Sequence, residues 1–157
     1  RYVRRKHGVV IGQVTAEDIK INIGCVYPRP EDASMTVKGR DGKTGMPREV
    51  TLFSSEIFEV LRRGARQIAD EVLSVLEETS PELVADIAEN GITLTGGTSQ
   101  IWGMDRMLSE RTGIPCRLAD DPDSCVAYGC GKSLAWINHM QEGPINIARK
   151  RMMRSAF

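Results

Sequence analysis

Residues 96–99, Gly-Gly-Thr-Ser, lie between the apolar run Gly-Ile-Thr-Leu-Thr and a helical pattern that starts near Met104. Gly96 and Gly97 lack Cβ atoms, so they can adopt positive φ and let another molecule touch the main chain. Thr98 and Ser99 add hydroxyls, and a helix that follows presents unpaired N–H groups at its start. Together these four residues could cradle a planar or phosphorylated ligand at the carboxyl end of a strand, where α/β sheets bind ligands. A tight strand-to-helix turn with no ligand accounts for the same four residues, and on this stretch alone both readings stand. The lysine-bearing phosphate loop GxxxxGK[ST] occurs nowhere in the chain.

Glu17 and Lys20 form the next candidate pair. Three residues apart on an expected helix, they share a face and could reach a ribose or the edge of a base together. An ordinary surface ion pair explains the spacing equally well. His7 and His139 have no evident Ser or Cys partner, and Asp120-Asp121 before Pro122 reads as helix capping rather than as an acid–base pair. No catalytic residue is nominated. The four cysteines, at 25, 116, 125 and 130, contain no CxxC pair. Neither a zinc site nor a disulfide framework is therefore expected, and a reduced, cytoplasmic setting is.

The elements that must position these residues follow from the pattern. "TAEDIKINIG" reads as a short helix capped by Thr15 and stopped at Gly24. "YPRPEDAS", 27–34, is a proline-broken loop. Met35 to Lys38 and Arg48 to Phe53 read as the strands of a β-hairpin with a glycine-rich connection. Ser54 or Ser55 caps a long helix to about Glu78, with an apolar stripe at Ile57, Leu61, Ala65, Ile68, Val72 and Val75/Leu76. A helix from Pro81 to about Glu89 follows. The rest alternates: strand 91–95, helix Met104 to Thr112, strand Ile114 to Asp120, and a helix to about His139 carrying Ala127, Gly131 and Ala135. Alternation of strand and helix argues for parallel strands with packed helices. The expected organisation is an α/β subdomain, 1–27 and 90–140, with a smaller hairpin-plus-helix α+β subdomain, 28–89, inserted in it. Residues 141–157 are a basic tail, expected to be frayed, although a basic amphipathic segment can also lie on an anionic membrane.

Twenty-one Lys and Arg balance twenty-one Asp and Glu. No large basic field exists to gather phosphates, so no nucleic-acid partner is expected. No apolar stretch approaches the length of a membrane span. The opening "RYVRRKHG" reads as the basic last turn of a helix stopped by Gly8, so the sequence is expected to be the rear part of a longer chain.

The order "TAEDIKINIG…YP", then "PELVADIAENGITLTGGTSQIWGMDRMLSERTGIPCRLADDPDSCVAYGCGKSL", resembles the C-terminal half of MreB-type bacterial actins, from about Tyr2 to about Ile137. More distantly, the double-glycine turn is similar to that of actin and of the Hsp70 chaperones. The resemblance implies an actin-like ATPase (ribonuclease H-like) fold, with these residues supplying most of its second lobe. It implies that Gly96, Gly97, Thr98 and Ser99 line the adenine and nearby phosphates of ATP or ADP, with Glu17 and Lys20 facing the ribose and base. MreB proteins usually carry a third glycine where this chain has Thr98; actin has threonine there.

The resemblance also implies what these residues do not hold. The family's phosphate loops, magnesium-coordinating acids, catalytic glutamate and membrane-inserting elements would all precede Arg1, and the chain alone is expected to be inactive in ATP hydrolysis. Expected partners are further copies in a filament, the missing N-terminal lobe, membrane proteins of cell shape and wall synthesis, and indirectly the inner face of the cell membrane. Two other readings stay open: the ATPase half of an Hsp70-type chaperone, and a nucleotide-independent interaction module of the same fold.

Overall fold

The computed structural model describes residues 1–136. The expected basic tail, His139 and the end of the last helix lie outside them. The chain divides into two compact units, residues 1–122 and a second beginning at Asp123.

In the first unit, helix α1 (Tyr2–His7) ends at Gly8, whose φ of 68° closes it in a left-handed cap. Strand β1 (Val9–Val10) follows, then helix α2 (Gln13–Ile23). Helix α2 starts two residues before the Thr15 cap expected from the sequence, with Gly12 at the N-cap position. Strands β2 (Ser34–Asp41) and β3 (Pro47–Phe53) form the expected hairpin. Met35 pairs with Leu52 and Val37 with Val50, which puts these apolar residues on one face. Thr36 and Thr51 pair on the other, their hydroxyls 2.9 Å apart. At the turn Asp41 accepts N–H bonds from Lys43 and Thr44, and its second oxygen meets Arg48 at 3.0 Å.

Strand β1 joins this hairpin as the third strand of an antiparallel sheet, with Val9 opposite Asp41 and Val10 opposite Arg40. The consequence is a shared core: Val3, Val9, Ile19 and Ile23 pack with Val37, Leu52 and Ile57. The division expected between residues 27 and 28 therefore runs through one buried cluster. A two-residue strand has no periodicity to read, so nothing in the sequence declares its membership of the sheet.

Helix α3 (Ser54–Glu78) begins where expected, but its cap is remote. Asp32, from the proline-broken loop, accepts the Ser55 N–H at 2.8 Å and the hydroxyls of Ser54 and Ser55 at 2.6 Å each. Glu56 turns back to accept the Phe53 N–H at 2.9 Å. Its other oxygen receives Lys6 at 2.8 Å, His7 at 2.9 Å and the Tyr2 hydroxyl at 3.2 Å, fastening α1 to the start of α3.

Further along α3 the buried positions are Ile57, Ala65 and Ala69, with Leu61 half-buried between them. Ala69, not Ile68, continues the four-residue step inward. A second cluster joins Ala65 and Ala69 to Val26, Met104, Met107 and Leu108. Leu61 packs against both clusters, so one helix threads two cores.

Helix α4 (Pro81–Asn90) leads to β4 (Ile92–Leu94), a 3-10 turn at Gly97–Gln100, helix α5 (Met104–Thr112) and β5 (Cys116–Leu118). Strands β4 and β5 pair in parallel, Ile92 with Cys116 and Leu94 with Leu118, as the alternating pattern required. In the second unit, helix α6 (Cys125–Trp136) starts three residues after Pro122, which together with Asp120 and Asp121 forms its lead-in rather than its first turn. On α6, Val126, Tyr128 and Leu134 are exposed.

Candidate functional site

The double-glycine turn sits at the carboxyl ends of two parallel strands. The Ala119 N–H donates to the Leu94 carbonyl at 3.0 Å, extending the β4–β5 pairing, and the Gly96 N–H donates to the Pro122 carbonyl at 2.7 Å. Gly96 has φ 83° and ψ 157°. That region is open essentially to glycine alone, and any other residue there costs on the order of 1–3 kcal/mol. A Cβ built at Gly96 would meet no atom of the described residues within 4 Å beyond its chain neighbours.

The two glycines divide the work. Gly96 makes the sharp reversal, and Gly97 opens the 3-10 turn as an exposed residue. Thr98 is exposed beside it, and its carbonyl accepts the Ile101 N–H at 3.3 Å. Ser99 points inward. It is buried, and its hydroxyl donates to the Gly96 carbonyl at 2.6 Å, which shapes the turn.

Glu17 and Lys20 both lie on α2, with Nζ and Oε1 2.5 Å apart. The helix buries Ile19 and Ile23. Two residues that the sequence pattern does not single out flank the pair: Val14, 76% exposed, and Ile21, 67% exposed. Positions 14, 17 and 21 fall on one helical face. The available signal was two apolar residues off the buried stripe, next to a charged pair. An apolar rim around charged groups suits a ligand with a flat hydrophobic part and polar edges.

Among the described residues no hydrogen bond or ion pair runs directly from Glu17 or Lys20 to residues 96–99. The two groups are joined through the chain that leaves each of them. Cys25, just past α2, forms a parallel bridge with Trp102, just past the 3-10 turn, and the Val26 N–H donates to the Trp102 carbonyl at 2.9 Å. Gly103 allows this approach: at φ 78°, a Cβ there would collide with that of Tyr27. The Arg29 guanidinium lies 5.1 Å from the centre of the Trp102 ring. A side cavity of about 300 Å³ opens near this junction, lined by Cys25, Arg29, Asp32 and Ser54 among others. Burial pushes the Cys25 thiol pKa up, so this cysteine is not primed as a nucleophile.

The MreB/Mbl protein family model matches residues 1–142. The chain belongs to the MreB/Mbl family. It is 47% identical over 137 residues to the cell shape-determining protein MreB of Escherichia coli, covering 87% of this chain and 40% of that protein. Two crystal structures of MreB5 from Spiroplasma citri superpose on it: the ADP-bound form with TM-score 0.82 at 36% identity, over 89% of this chain and 44% of that one; and the AMPPNP-bound form with TM-score 0.83 at 37% identity, over 88% and 41%. The actin-like α/β fold expected from the sequence is thereby shown. The chain spans about two fifths of the length of the curated MreB relatives it matches.

Proposed function

We propose that these residues form the adenosine-binding side of an MreB-type cytoskeletal ATPase. The observation that carries the reading is Gly96, held in a glycine-only conformation at the carboxyl ends of two parallel strands with open space above it. The ADP- and AMPPNP-bound relatives of the same fold support it. The bare backbone of Gly96 and Gly97 would lie against the base, with Thr98 at its edge. Lys20 and Glu17 would meet the ribose and the polar edge of the base, and Val14 and Ile21 would supply apolar contact. Ser99 would hold the turn from behind.

On this reading these residues act on the nucleoside and not on the phosphates. Their part is to bind and orient the nucleoside. Phosphate chemistry and Mg²⁺ coordination belong, on this reading, to elements outside the 157 residues. The whole protein would assemble with copies of itself into cytoplasmic filaments at the inner face of the cell membrane, and with membrane proteins of wall synthesis would maintain rod shape.

Gly97→Asp in the full protein tests the site. Gly97 is exposed and does not have a positive φ, so aspartate there avoids the backbone penalty that Gly96 would impose. Calorimetric titration with Mg·ADP should show at least a tenfold loss of affinity while the thermal transition stays within a few degrees. Unaltered affinity sinks the assignment.

A further inference from the structure

The neutral overall charge hides a strong local separation. From Ala69 to Asn90, the second half of α3 and all of α4, there are seven acids and no Lys, Arg or His. Asp70 is paired with Arg111 at 2.7 Å. The other six, Glu71, Glu77, Glu78, Glu82, Asp86 and Glu89, are exposed and have no cation partner among the described residues. Apolar side chains are interspersed with them: Ile68 is 43% exposed, Val75 64% and Leu83 56%. Along α3, Ile68, Glu71, Val75 and Glu78 follow one another at steps of three and four, one stripe of alternating apolar and acidic character. On α4, Glu82, Asp86 and Glu89 follow at steps of four and three, where like charges repel each other and favour a partner that brings cations.

The chain itself contains a segment with the opposite character. Residues 144–157, outside the described part, carry Arg149, Lys150, Arg151 and Arg154 with no acid, interleaved with Ile145, Ile147, Met152, Met153 and Phe157. Both the charge and the apolar content complement the α3–α4 surface. We propose that this surface docks residues 144–157 of a neighbouring copy, so that each chain presents an acidic, apolar receptor and a basic, apolar ligand. Repeated head to tail, such a heterologous contact generates an open array rather than a closed dimer. The proposal does not rest on nucleotide binding.

A fluorescently labelled synthetic peptide of residues 143–157, titrated with the full chain, tests it. Anisotropy should report binding at 50 mM salt that weakens at least tenfold at 500 mM. The triple variant Glu71→Gln, Glu78→Gln, Glu82→Gln should lose binding by a similar factor. A peptide with the same charges but Ile145, Ile147, Met152 and Met153 changed to Ser should also bind at least fivefold more weakly. Sedimentation of the full chain should show self-association that the triple variant weakens and that the free peptide competes away. Equal binding of the Ser peptide would make the surface a mere collector of cations and overturn the proposal. So would a chain that stays monomeric at concentrations where the peptide binds. A peptide that partitions onto anionic vesicles but ignores the protein would assign the segment to a lipid surface and overturn the proposal as well. The acids are on the surface, but if the triple variant unfolds, Val75→Ser with Leu83→Ser gives the same reading from the apolar side.

Discussion

Asp32 caps a helix that begins twenty-two residues further along, its Oδ1 2.6 Å from the Ser54 hydroxyl oxygen and 2.8 Å from the Ser55 nitrogen. The Ser54 hydroxyl, then the Ser55 hydroxyl and N–H, hold the Asp32 carboxyl below its usual pKa. Because the proline-broken loop supplies the cap, it is fastened to α3 as well as to its own neighbours. Asp32→Ala should lower the melting temperature by about 3–5 °C, with Asp32→Asn intermediate. A thermal scan by circular dichroism checks this; an unshifted midpoint for the alanine variant would show that solvent caps the helix as well as Asp32 does.

Acidification should loosen the clasp between α1 and α3. Burial of Glu56 opposes its ionisation, but bonds from Lys6, the Phe53 N–H and His7 outweigh that and bring its pKa to about 2, from an ordinary value of 4.5. The folded value is the lower one, so the stabilisation is complete above pH 4.5 and is lost as pH falls towards 2. Glu56→Gln should cost about 2 kcal/mol at pH 7 and much less at pH 2. Urea denaturation at both pH values measures the difference; parallel losses at the two would contradict it.

Alanine at three glycines should have three separate outcomes. At Gly96 the cost is conformational only, about 1–3 kcal/mol, since its Cβ would meet nothing. At Gly103 the conformational cost is joined by a collision with Tyr27, and the loss should be clearly larger. At Gly97, in the 3-10 turn, stability should barely change. The ordering Gly103, Gly96, Gly97 in chemical denaturation is the check, and any inversion would dispute the geometry of this corner.

Removing Lys20 should separate structure from binding. The Glu17–Lys20 pair is solvent-facing and worth roughly 0.2–0.5 kcal/mol to the fold. Lys20→Met should therefore leave the melting transition in place while weakening Mg·ADP binding by the full protein about tenfold. A variant that binds as before would confine Lys20 to its surface ion pair.

What can be read from the chain is what lies close together along it. The hairpin shows in the alternation around Met35–Lys38, and the parallel pair in the run from Gly91 to Asp120. The double-glycine turn shows because the requirement at Gly96 is local. What escapes depends on distance or on size. Nothing near Asp32 announces that it faces Ser54, and Val9–Val10 is too short to declare its sheet. Ile68 has the more apolar side chain, but the small side chain of Ala69 is the one that lets α3 share a cluster with Met104 and Leu108. Nor does the sequence announce that the Ser99 hydroxyl bonds the Gly96 carbonyl and braces the turn.

Leu61 touches both buried clusters, with Ile57 anchored in one and Ala65 in the other. A rod gripped at two places cannot be released at one without disturbing the other, so residues 1–122 should come apart as one piece. The amides between Ile57 and Ala69 would then be among the slowest to exchange with deuterium, and force applied at either grip would be felt at its neighbour.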